Sequence, residues 1–134
     1  MNSDIKNYLI ILFLFLLIDV PMLLFINTDM YMEQLRRINN GPMNIGENTI
    51  VGTIITYILL GFGLYYFVLS CNPKNDTVVT KGMLFGLIVY GVYDYTNLAT
   101  INEFGSFEAL VDTMWGTILC GLVSYTYINL NVTF

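Results

Sequence analysis

The sequence predicts an all-α, polytopic integral membrane protein, built as a four-helix transmembrane bundle with a short interfacial helix after the first span. Three observations predict it. Apolar residues make up 56% of the 134 and charged residues 11%, about half the charged share usual in a soluble domain. The apolar residues gather into four runs, each long enough to cross a hydrocarbon core of about 30 Å at ~1.5 Å per residue. The connections between the runs are polar, carry Gly and Pro, and hold most of the charge. Four spans leave no room for a separate soluble domain, so 1–134 are expected to form a single transmembrane domain.

The first span is drawn from Tyr8 to Ile26. It is too long for a signal peptide, carries Asp19 and Pro21, and precedes no small-x-small cleavage site. Pro21 removes one backbone hydrogen bond and is expected to kink the helix. In the connection 27–49, Tyr31, Met32, Leu35 and Ile38 recur at helical spacing, while Glu33, Arg36 and Arg37 fall on another face. This pattern predicts an amphipathic helix lying on the bilayer, or an extension of the first span, broken by Gly41-Pro42. The second span, Ile50 to Leu69, is free of charge. The connection Cys71 to Lys81 holds Pro73 and two lysines. The third span runs from Gly82 to Ile101 and opens with Gly82 and Gly86, a small-xxx-small pair that lets a neighbouring helix come close. The connection 102–108 is acidic, and Glu103 and Glu108 are expected to be solvated there. The fourth span is Ala109 to Ile128, with Tyr125 and Tyr127 expected in an interfacial aromatic belt.

Several functions are excluded or disfavoured. The chain has no histidine, which removes His-ligated metals, His general bases and Ser–His or Cys–His pairs. Five basic residues without a patch argue against nucleic acid. Cys71 and Cys120 are expected to be small apolar packing residues rather than a disulfide. Lys6, Lys74 and Lys81 on one side against Arg36 and Arg37 on the other place both termini in the cytoplasm by the positive-inside rule. With that orientation, the sequons Asn75-Asp76-Thr77 and Asn131-Val132-Thr133 read as chance.

Asp19, Asp94 and Asp112 each lie inside a span. Ionisable residues at that depth mark functional sites by default. Up-down topology puts the end of the first span, the end of the third and the start of the fourth on one membrane face. Counting residues then places all three acids roughly 5–10 Å below the same interface at ~1.5 Å per residue. The start of the second span, with Thr53, Thr56 and Tyr57, joins that level. Tyr90, Asp94 and Asn97 share one helical face, and Asp112, Trp115 and Gly116 share another. The expected site is therefore a polar pocket of Asp19, Asp94, Asn97 and Asp112, with Tyr90 and Trp115 on its wall. Its competing explanations are interhelical hydrogen bonding and, for Asp112, a favourable helix dipole.

The run Tyr93-Asp94-Tyr95-Thr96-Asn97-Leu98-Ala99-Thr100, followed by Asp112-x-x-Trp115-Gly116, resembles an uncharacterised family of predicted four-helix membrane proteins found in bacteria and large DNA viruses. Asp19 matches an aspartate in that family's first span. Tyr95 stands where the family usually has leucine, and Glu103-Phe104-Gly105 where it often has Trp-Pro. The resemblance implies the fold and the site but no reaction, and a viral origin fits the divergence.

The preferred functional reading is transport or conduction of protons, cations or a small polar solute. Four helices are few for a pore, so a pore would need a homo-oligomer. The alternatives are a structural or assembly protein of a viral or bacterial membrane and a membrane-embedded lipid-modifying enzyme. An enzyme is the less favoured of these, because no nucleophile has an activation motif. No cofactor or metal is expected. The expected partners are the lipid bilayer and the small cation or solute.

Overall fold

The computed structural model describes residues 3–26, 28–43, 45–70 and 77–130. Cys71, Pro73, Lys74 and both sequons, wholly or in part, lie outside these. The described residues form helices and turns, without strands: α1 (Ser3–Pro21), α2 (Thr28–Asn39), α3 (Glu47–Leu64), α4 (Val78–Thr100) and α5 (Ser106–Asn129). Two π-helical segments, Met22–Ile26 and Tyr65–Leu69, extend α1 and α3. The first begins immediately after Pro21, which has no N–H to donate to the carbonyl four residues earlier. Just beyond, the Thr28 hydroxyl donates 2.6 Å to the Leu23 carbonyl.

Among the described residues, three helices are long and apolar enough to cross a membrane: Asp4–Ile26, Glu47–Leu69 and Ser106–Asn129. Helix α4 has 23 residues, about 35 Å at ~1.5 Å per residue. It is less apolar because Lys81, Tyr93, Asp94, Tyr95 and Asn97 dilute its aliphatic residues. The helices begin several residues before the expected spans and end within a residue of them, because hydrogen-bonded backbone extends beyond the apolar run. Large apolar side chains cover the outside, among them Phe13, Leu17, Leu59, Phe67, Leu84 and Val92. Such a surface belongs in a lipid bilayer.

The closest packing is between α4 and α5. A side chain at Gly86 would collide with the Gly116 carbonyl, and one at Gly82 with the Cys120 carbonyl 2.9 Å away. Backbone meets backbone along this seam, as the Gly82–Gly86 pair predicts. The core on the other side is Ile11, Leu14, Phe15, Leu60, Leu64, Leu119 and Val123, all buried. Cys120 is a buried free thiol in this layer.

The expectations for Tyr127 and Glu108 are corrected. Tyr127 is fully buried rather than interfacial, while Tyr125 is exposed. The register of α5 turns Tyr127 inward together with Val123 and Cys120. Helix α2 follows the first span. It folds over the start of α5, where Tyr31 donates to Asp112 and Arg37 pairs with Glu108. Glu108 is accordingly a paired acid of the first turn of α5 rather than a solvated loop residue. On α2 itself, Met32 is exposed on the outer surface and Gln34 is the buried residue.

Candidate functional site

Asp19, Asp94 and Asp112 are drawn to one end of the bundle. Asp19 is buried in the last turn of α1. It accepts two hydrogen bonds, from the Tyr57 hydroxyl at 2.6 Å and from the Trp115 indole Nε1 at 2.8 Å. These bonds tie α1 to α3 and to α5. Asp94 is 1% exposed on α4 and accepts a bond from the buried Thr113 hydroxyl at 2.9 Å. Asp112 is half-buried on α5 and accepts from Tyr31 of α2. Asp94 and Asp112 are also close enough across the α4–α5 seam to interact electrostatically.

The glycine seam explains this last contact. Helices in close approach bring facing side chains together. Tyr90 lies flat against Gly116, where any side chain would strike its ring. One turn further along α4, Asp94 therefore meets Asp112 and Thr113 on α5. Trp115, one turn along α5, reaches the opposite way to Asp19.

Each predicted residue can now be placed. Asp19, Asp94, Asp112, Tyr90 and Trp115 come together. Asn97 is half-buried one turn beyond Asp94, and no described side-chain hydrogen bond joins it to the others. Three participants were not singled out: Thr113, Tyr31 and Tyr57. Tyr57 had been placed at the right depth, and Thr113 directly follows Asp112. Nothing in the spacing of α2 signals that Tyr31 reaches into the bundle.

The charge balance is one-sided. No described lysine or arginine bonds to any of the three aspartates, and Arg37, the nearest candidate, is taken by Glu108. Among the described residues, no three acids or thiols converge closely enough to hold a metal ion. Outside the spans, burial first and the bond to Asp112 second hold the Tyr31 phenol above the usual tyrosine range. Tyr31 thus remains a hydrogen-bond donor at any ordinary pH.

Two cavities adjoin the acids. One, of about 400 Å³, opens beside the start of α3 and is lined by Asn48, Thr49, Thr53, Tyr57 and Asp19. The other, of about 610 Å³, lies between α3 and α4 and includes Asp112 in its lining. They share Thr56, Leu60 and Tyr90.

The chain matches over residues 4–128 the model of a family described as "Predicted membrane protein (DUF2177)". No curated protein and no solved structure matches it.

The match covers nearly all of the chain, and the protein belongs to this membrane-protein family of unknown function.

Proposed function

We propose that this member of the family carries an intramembrane site for a proton or a small cation, filled from the membrane face on which α2 lies, and that it moves that ion. One observation carries the reading. Two carboxyl groups interact across the α4–α5 seam, the third lies at the same end of the bundle, no described cation bonds to any of them, and Asp19 lines a pocket with Asn48, Thr49 and Thr53. Two carboxyl groups can hydrogen-bond each other only if one holds a proton. Asp94 and Asp112 are the pair that shares it, and Asp19 is held by its two donors as the fixed charge. The apolar layer from Ile11 to Phe15 and across Leu64 and Leu119 separates this end from the other. The site is thus a one-sided binding site, and transport through it needs a conformational change or a second copy of the chain. Both termini are assigned to the cytoplasm, and the fourth crossing to α4.

A second reading has its own support. The bonds from Tyr57, Trp115, Thr113 and Tyr31 tie together all five helices, so the acids could serve assembly alone. Flux in reconstituted vesicles separates the two. In the transport reading, Asp94→Asn abolishes proton or cation flux in a protein that still folds. In the assembly reading there is no flux to lose, and Asp94→Asn is nearly silent because asparagine retains the hydrogen-bonding groups.

A further inference from the structure

Helices α1, α2, α4 and α5 close around the carboxyl groups, but α3 does not close against α4. It meets α4 through its π-helical end, Tyr65–Leu69, and the two diverge toward the start of α3. The wedge between them is the 610 Å³ cavity. This is an ordinary size for a small-molecule site. Its walls are Leu59, Leu60, Phe67, Phe85 and Val89, and Asp112 is the one charged residue in its lining. Leu59, Phe67 and Val89 are also exposed on the outer surface of the bundle, so the slot opens sideways toward lipid. At Tyr90 and Thr56 it adjoins the pocket that reaches Asp19.

An apolar slot ending on a carboxylate is complementary to a long-chain molecule with a cationic head. A pair of carboxyl groups sharing one proton still carries one negative charge, and Asp19 adds another nearby. In a low-dielectric setting these attract an ammonium strongly and repel an anionic head by as much. We propose that the cleft between α3 and α4 binds a single-chain amphiphile with a primary ammonium head, taken from the bilayer, its chain along Phe67, Phe85 and Val89 and its ammonium at Asp112. The proposal rests on the reading of the acids as a cation site and names the class of cation.

Binding is measured on the intact protein in neutral-lipid nanodiscs with a spin-labelled long-chain alkylamine. Unlabelled alkylamine, alkyl alcohol and alkyl carboxylate of equal chain length serve as competitors. The expected result is saturable binding, displaced by the amine at least about ten-fold better than by the carboxylate, a difference of about 1.4 kcal/mol. Val89→Trp fills the slot without touching the acids and is expected to weaken amine binding about ten-fold, as is Asp112→Asn. Equal displacement by amine and carboxylate in the wild-type protein would overturn the proposal, as would full affinity in Val89→Trp. Because binding is read without flux, loss of this proposal leaves the Asp94→Asn flux test intact, and failure of that test leaves the competition result standing.

Discussion

The bundle has two polar ends, and they are built differently. At one, Tyr65 donates 2.8 Å to an exposed Asp4, with fully buried Asn7 and Tyr127 nearby. Among the described residues, the acid of that end is Asp4, at the surface and bonded to a neutral phenol. The other end holds Asp19, Asp94 and Asp112, the last two interacting across the α4–α5 seam, beside two cavities. Polarity inside a membrane is thus not itself a site. Neutral groups can satisfy one another and serve packing, whereas like charges brought together without a counter-ion need something from outside to complete them.

The comparison can be broken or sharpened in order of expected effect. The largest concerns the seam that brings Asp94 to Asp112. Gly86→Leu would drive a side chain into the Gly116 backbone, which cannot yield as a side-chain tip would. The expected loss is about 3 kcal/mol or more, seen as failure to purify as a monodisperse, helical species. Next come the donors at the two ends. Trp115→Phe removes a bond to a buried carboxylate and should cost about 1–2 kcal/mol, while Tyr65→Phe removes an exposed one and should cost under about 1 kcal/mol. Unfolding of both variants in mixed detergent reads the difference, and equal losses would contradict the distinction between the ends. A smaller effect concerns Tyr31. Its raised pKa means that the bond to Asp112 is fully present below about pH 10, the usual phenol value, and is lost only as pH rises through the higher folded value. Alkaline titration of tyrosinate absorbance should therefore give superimposable curves for wild type and Tyr31→Phe around pH ~10. A missing tyrosine in the variant over that range would show that α2 is not docked on Asp112.

How far the sequence foretold this follows from which forces act locally. Helices α1, α3 and α5 are long apolar runs, and burying them in lipid needs no knowledge of partners. The placing of Asp19, Asp94 and Asp112 toward one end of the bundle was likewise readable, because residue count along a helix is distance. The convergence of Tyr90, Asp94 and Asp112 was approachable through Gly82, Gly86 and Gly116, small residues that allow helices to meet. The docking of α2 was not readable. Its pattern fits a lipid-facing stripe as well as a protein-facing one, and only the tertiary partner decides that Gln34 is buried and Met32 exposed. The inward turn of Tyr127 has the same cause. The cleft between α3 and α4 is a gap in packing, and no residue encodes a gap.

The central claim is that Asp94 and Asp112 share a proton at a site open to one face. Infrared difference spectroscopy with isotopically labelled aspartate tests it most directly. The account predicts a protonated carboxyl band in the wild-type protein that is lost in both Asp94→Asn and Asp112→Asn, persists in Asp4→Asn, and shifts on transfer to heavy water because the site is reached from the aqueous side. Three ionised carboxylates with no bound cation, or a band indifferent to Asp94 and Asp112, would contradict it.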